Sequence, residues 1–239
     1  MPQIKCKDLT LAYDGRVVSE NINFQIEKGD YFCIVGDNGS GKTTLMKALL
    51  GLKNYDTGEI SFGDDTKNYD IGYLPQQTEI QKDFPATVEE IVRSGCVAKQ
   101  GIFPFYRHAE RTEAISNMKI MGVEGLARST FSQLSGGQKQ KVLLARALCA
   151  ARKVLLLDEP VASLDPASAE ELYSVIRHLN HHLGITIIMI THDISAILDD
   201  ADKVLYMSHT PTLYGSAKEY AESKHFPHRV KEENANEDI

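Results

Sequence analysis

The sequence predicts an α/β fold with a mostly parallel sheet, an N-terminal antiparallel β flank and an inserted helical subdomain. Three observations carry this expectation. The runs Tyr31 to Val35, Val154 to Leu157 and Ile185 to Ile190 are short and apolar at every position, as strands buried on both faces of a parallel sheet are. Nearer the amino end, Ile22, Phe24 and Ile26 alternate with polar residues, the period of an antiparallel strand with one wet face. From about residue 87 to 150 helical patterning dominates.

Taken in order, Ile4 to Tyr13 reads as a strand whose phase shifts near Lys7-Asp8, and Glu20 to Ile26 as its antiparallel companion. The apolar run Tyr31 to Val35 leads into a glycine-rich turn and then a helix carrying Leu45, Met46 and Leu49. Val88, Ile91 and Val92, followed by Ile115, Met118 and Met121, supply apolar stripes for the helical insertion. After Val154 to Leu157 one helix is well marked. Asp165 can cap it, Pro166 suits its first turn, Leu172, Val175, Ile176 and Leu179 form its stripe, and Gly184 ends it. The tail from about His225 to Ile239 is polar and acidic, with little apolar surface to offset the entropy of ordering, and is expected to be mobile.

Bulk properties narrow the function. A chain of 239 residues suits one large domain with a substantial core. A net charge of −7 argues against nucleic-acid binding by phosphate neutralisation, so no nucleic-acid partner is expected. Cys6, Cys33, Cys96 and Cys149 are scattered without a CxxC pair, which suggests neither a zinc ribbon nor a disulfide framework and is in keeping with a cytoplasmic location. The amino terminus lacks an apolar signal core and no apolar run is long enough to cross a bilayer, so any membrane role requires a partner.

Three strings carry chemistry. Gly36-Asp37-Asn38-Gly39-Ser40-Gly41-Lys42-Thr43, followed by Thr44, matches the phosphate-binding loop G-x-x-x-x-G-K-[ST], and it sits directly between an apolar strand and a helix, as that motif requires. Glycines let successive amides converge on a phosphate, the helix amino end adds positive potential, Lys42 reaches the outer phosphates and Thr43 can ligate Mg²⁺. In Val154-Leu155-Leu156-Leu157-Asp158-Glu159 a buried strand delivers two carboxylates to its carboxyl end, the ligand edge of such sheets. Asp158 can hold Mg²⁺, while Glu159 can deprotonate an attacking water. Alone, an apolar strand ending in Asp-Glu is common. Leu134-Ser135-Gly136-Gly137-Gln138 then offers a hydroxyl, flexible amides and a second helix amino end; standing alone it would read as a helix cap.

Together these strings resemble the Walker A, Walker B and signature motifs of the ABC ATPases, and the resemblance extends in order to about Ser223. It implies a single ABC ATPase domain over residues 1–224 on a P-loop NTPase core, with the helical subdomain at about 87–150 inserted. By the same resemblance, Tyr13 is the aromatic that stacks on adenine, and Gln76 in Tyr73-Leu74-Pro75-Gln76 is the Q-loop glutamine that reaches Mg²⁺. Ser163-Leu164-Asp165 resembles the D-loop, and His192 the switch histidine that contacts the γ-phosphate. Departures are few: Asp37 follows the first loop glycine, Thr43 replaces the commoner serine, and Ala162-Ser163 precedes Leu164. None removes a catalytic group. His178, His181 and His182 near the end of the marked helix suit its dipole without a metal.

One chain holds one copy of each motif, so the resemblance implies a second copy of itself in a head-to-tail dimer. Two ATP molecules would be sandwiched between Lys42 and Thr43 of one copy and Ser135 and Gly137 of the other. It also implies integral membrane permease subunits, with this chain peripheral on the inner face of the cell membrane, and an extracytoplasmic solute-binding protein in the complete system. The aromatic stretch Gly101 to Arg107 is a candidate for the permease contact. The string Phe84-Pro85-Ala86-Thr87-Val88-Glu89-Glu90-Ile91-Val92 and the compact length resemble the branch serving zinc, manganese or iron uptake. Importers of chelated iron or vitamins share much of this pattern, and a soluble ABC ATPase with one cassette is a further reading. There is no second cassette, long heptad insertion or zinc motif of the kind found in other soluble branches. The signature string disfavours a small-molecule kinase.

Overall fold

In the computed structural model, residues 1–63, 66–67, 70–76, 85–96, 108–151, 153–193, 199–208, 213–223 and 225 are described. The chain divides into two compact units, one formed by Met1–Asp65 with Ile188–Ile239 and the other by Thr66–Ile187.

The first unit opens with the antiparallel flank. β1 (Ile4–Tyr13) lies between β2 (Arg16–Ile26) and β4 (Thr57–Phe62). The phase shift expected near Lys7-Asp8 is a bulge. The β1–β2 register slips between Cys6 and Leu9, and Asp8 stands at φ 49. Asn23 holds it there, its Oδ1 accepting the Asp8 N–H at 2.9 Å and its Nδ2 donating to the Asp8 carboxylate at 3.2 Å. Because strand side chains alternate faces, the slip is what lets even-numbered Ile4 and Cys6 and odd-numbered Leu9 and Leu11 all be buried.

The wholly apolar run forms β3 (Tyr31–Gly36), paired in parallel with β8 (Lys203–Met207), which pairs antiparallel with β9 (Leu213–Ser216). Phe24 and Phe32 stack with centroids 5.2 Å apart, joining β2 to β3. α1 (Lys42–Leu49) follows β3 and buries Leu45, Met46 and Leu49. α6 (Ala217–Glu222) is started by a capping box between Ser216 and Glu219.

In the second unit β5 (Ile71–Leu74) pairs in parallel with β6 (Val154–Asp158). The helical insertion is built from α2 (Val88–Ser94), α3 (His108–Ile120) and α4 (Gly136–Ala150), and α5 (Pro166–His181) follows β6. β7 (Thr186–Ile190) is buried throughout, and the boundary between the units falls inside it. α4 is the hub. A Cβ on Gly72 of β5 would lie 2.1 Å from the Ala147 carbonyl, and one on Gly95 after α2 would lie 2.1 Å from the Arg146 carbonyl, so both backbones approach α4 more closely than any side chain permits.

The α5 expectation stands nearly residue for residue: Asp165 accepts the Ser168 N–H at 3.0 Å, Pro166 occupies the first turn, and Leu172, Ile176 and Leu179 are buried. Gly184, at φ 65, donates back to Asn180 just beyond the helix. One expectation in the insertion needs correction. Ile115 is 37% exposed, whereas the expected Met118 and Met121 are buried, and Ala114 and Asn117 complete the buried face of α3 in place of Ile115. Phe84, the aromatic stretch 101–107 and the tail from 226 onward lie outside the described residues.

Candidate functional site

The sequence-selected residues divide between the two units. In the first, β3 runs into the loop Asp37 to Gly41 and so into α1. Gly36, Gly39 and Gly41 have φ of 134, 80 and 94, a left-handed region that L side chains rarely adopt. Gly36 is doubly required, because a Cβ there would sit 1.9 Å from the Met207 carbonyl oxygen. Gly41 caps α1 without any side-chain hydrogen bond, and the first turn carries no acidic residue. The amino end of α1 therefore presents backbone N–H groups and positive potential with no side chain of its own helix competing for them.

Two further atoms point to an anionic occupant. Ser40 is fully buried, and its Oγ has no hydrogen-bond partner among the described residues. Lys42 is 8% exposed, and its Nζ donates to the Gly36 and Asp37 carbonyls, each at 2.8 Å. A buried ammonium folded back onto the loop is a donor that can turn to a phosphate without crossing solvent. Asn38, Gly39 and Thr43 are exposed around this cradle, and Thr44 is half-buried. Asp37, the departure noted in the loop, is tied to β8: its N–H donates to the Met207 carbonyl at 3.3 Å and its carboxylate accepts from the Tyr206 hydroxyl at 3.2 Å. Tyr13 is 56% exposed, with the Lys53 ammonium 4.4 Å from its ring centre, so a flat apolar face is open to a stacking partner. His192 is exposed just beyond β7.

In the second unit a cluster gathers at the carboxyl end of β6. Asp158 is 4% exposed and accepts from the Tyr73 hydroxyl at 3.5 Å. Burial, then the Asp158 charge and this hydrogen bond, push the Tyr73 hydroxyl up to about 12. Glu159 follows at φ 48, an uncommon conformation for a non-glycine residue. Its Oε2 accepts from Gln76 Nε2 at 2.9 Å, so the structure brings together two residues that lie 83 positions apart in sequence. Both line a small pocket of about 70 Å³ with Gln140, Ser163 and Leu164. With Gln76 Nε2 committed to Glu159, its Oε1 remains to serve a cation. Within this unit Gln76 and Asp158 both offer oxygen donors, the kind Mg²⁺ takes, while Thr43 belongs to the other unit.

Ser135 is the N-cap of α4. Its Oγ accepts the Gln138 N–H at 3.3 Å, and Gln138 Oε1 accepts the Ser135 N–H at 3.0 Å. The helix-cap reading of this string is thus realised, and it leaves the N–H groups of Gly136 and Gly137 at an exposed helix start. Gly137 is hemmed by Ser168 of α5, whose Oγ would lie 3.0 Å from an added Cβ. Sequence reasoning missed Tyr73 and Gln140. Tyr73 had a signal, since it stands on a strand whose next residues include Gln76. Gln140 had none: its Nε2 donates at 2.6 Å to the Pro160 carbonyl, 20 positions away.

Comparison with known proteins agrees with this geometry. Residues 19–162 match the family model described as ABC transporter. The chain is 32% identical over 223 residues to the zinc uptake system ATP-binding protein ZurA of Listeria monocytogenes, covering 91% of this chain and 87% of that protein. Among solved structures, cbiO1 of Clostridium perfringens, part of the ABC transporter complex cbiONQ, superposes with a TM-score of 0.80 at 32% identity, covering 96% of this chain and 94% of that one. A dimeric post-hydrolysis state of the ATP-binding cassette MJ0796, bound to ADP and Pi, gives a TM-score of 0.74 at 25% identity, covering 90% of this chain and 98% of that one.

Proposed function

Since this chain belongs to the ABC transporter family, whose cassettes are ATPases, we propose that it is the ATP-hydrolysing subunit powering uptake of a divalent transition metal such as zinc or manganese. The observation that carries the ATPase reading is the cradle at the head of α1, where three left-handed glycines, an uncapped helix start, an orphaned buried hydroxyl and a buried ammonium all surround one point of the loop. The metal reading rests on the likeness to a zinc uptake ATPase along 91% of the chain.

In this account Lys42 exchanges its two carbonyl partners for the β- and γ-phosphates, and the loop amides with Ser40 and Thr44 seat the remaining oxygens. Tyr13 stacks on adenine. Thr43, Gln76 and Asp158 are the oxygen donors that would hold Mg²⁺, which when bound would supply positive charge to offset the charge developing on the phosphates. Glu159 takes the proton of the attacking water, with Gln76 fixing its carboxylate, while His192 donates to the γ-phosphate. Ser135, Gly136, Gly137 and Gln138 form the head of α4 that closes over the ATP of a second copy. ATP binds the closed pair more tightly than its products do, so hydrolysis reopens the pair and delivers the stroke.

Among the described residues no helix is long and apolar enough to cross a membrane. By the family likeness the stroke is passed to a permease at the inner face. The aromatic stretch 101–107 lies outside the described residues, but a cavity of about 600 Å³ in the helical insertion suits the contact. Ala86, Ile91, Phe131 and Leu143 give it an apolar lining, and Glu90 and Arg146 supply polar groups. Cargo is captured by an extracytoplasmic solute-binding protein. The test is uptake: cells carrying Lys42→Ala should lose accumulation of radioactive zinc or manganese and fail to grow when these are chelated. Unchanged uptake of zinc, manganese and iron, with loss of an organic solute instead, would overturn the metal assignment.

A further inference from the structure

We infer that Gln140 is a positioning residue for hydrolysis: by holding the Pro160 carbonyl it fixes the left-handed backbone turn from which Glu159 projects. This rests on the reading of Glu159 as the base. At φ 48 a glutamate occupies a conformation that L residues with long side chains rarely take, and such a conformation persists only where its surroundings over-determine it. On the amino side the surroundings are plain, since Asp158 ends a five-residue strand that is buried throughout. On the carboxyl side the chain turns at once, with the Ala162 N–H reaching back to the Glu159 carbonyl at 3.2 Å. Pro160 has no N–H, so its carbonyl is the only backbone group through which that residue can be hydrogen-bonded. That carbonyl takes the Gln140 amide at 2.6 Å.

Gln140 is built as a fixed post. It is 3% exposed, one turn inside α4, whose start is locked by the Ser135–Gln138 capping box and whose next residues, Val142, Leu143 and Leu144, are buried. A glutamine sunk in an apolar helix face is costly unless its amide is used, and here the amide is used beside the base. Gln140, Glu159 and Gln76 line the same small pocket, so Glu159 is gripped through its carboxylate by Gln76 and through its backbone by Gln140. The two grips differ in kind. The Gln76 bond to the carboxylate is exposed to solvent, whereas the Gln140 bond to the backbone is buried and sets where the carboxylate starts.

The variant that separates donor from bulk is Gln140→Met, which keeps the length and volume of the side chain and removes the N–H. ATPase kinetics, fluorescent-ATP binding and melting temperature would be measured on the 239-residue chain as wild type, Gln140→Met, Glu159→Gln and the double variant. The expected result is a fall in kcat of roughly 10- to 100-fold, the scale set by misplacing a reacting group by about 1 Å, with ATP affinity within about twofold. Adding Gln140→Met to Glu159→Gln should cost nothing further, because there is then no base to aim. Should Gln140→Met not fold, Gln140→Asn, whose amide falls one methylene short of the carbonyl, reads the same ratio. Wild-type kcat in a folded Gln140 variant, or a loss of kcat matched by equal loss of ATP binding, overturns the inference. If Glu159→Gln is inactive while Gln140→Met is fully active, only the Gln140 role fails; if Glu159→Gln hydrolyses at the wild-type rate, the base assignment itself fails and this role with it.

Discussion

Gln76 donates its side-chain N–H to the Oε2 of Glu159 at 2.9 Å, tying the segment after β5 to the residue after β6. A glutamine at position 159 can still accept that bond through its amide oxygen, so Glu159→Gln removes basicity while sparing the geometry. The variant should bind ATP as the wild type does and lose about 100- to 10,000-fold in hydrolysis, the range a general base contributes. With its ATP unspent it should elute as a dimer in gel filtration with Mg-ATP. A monomer hydrolysing at the wild-type rate would contradict the assignment.

Gly36→Ala tests the close approach beneath the loop. An added methyl would sit 1.9 Å from the Met207 carbonyl oxygen, and the position stands at φ 134, so neither side-chain rearrangement nor a small backbone shift relieves the clash. A loss of roughly 3 kcal/mol or more in unfolding free energy is expected, read by urea titration. Gly39→Ala is the control: nothing lies within 4 Å of the added atom, so only the left-handed strain remains.

The ammonium of Lys203 bonds the Asp30 carboxylate at 2.7 Å, at the start of the β3–β8 pair. Burial acts to lower its pKa, but the hydrogen bond and charge of Asp30 outweigh it and raise the group above its ordinary 10.5. A raised folded-state pKa means that the contribution to stability is fully present below 10.5 and is lost as pH rises through the folded value. Wild type should therefore melt above Lys203→Met at neutral pH, and the gap should close in strongly alkaline buffer. A gap that widens with pH would show that the pairing has been assigned the wrong sign.

Much of this was legible in the sequence because it is written locally. Buried strands such as Tyr31 to Val35 need only composition and length, and the Asp165-Pro166 helix start needs only adjacent residues. The phase slip at Lys7-Asp8 was visible too, since alternation breaks where Asp8 bulges. Ile115 misled because helical spacing gives a stripe without saying which edge of it faces the core, and α3 has few apolar residues to fix its rotation. The Gln140–Pro160 bond and the left-handed turn at Glu159 were illegible because each is decided by contacts between distant segments. The strings for phosphate were plain; the groups that hold the base were not.

Two copies of the chain are expected to complete each other's nucleotide sites. Lys42→Ala and Ser135→Arg chains, each purified alone, carry two damaged sites per homodimer and should hydrolyse ATP at background rates. Mixed, they form heterodimers in which the loop of the Ser135→Arg chain faces the intact Ser135 of the other, leaving one undamaged site. ATPase activity measured against mixing ratio should rise from background at both ends to a maximum near equal amounts. A flat profile at background across all ratios, or full activity in the Ser135→Arg chain alone, would contradict it.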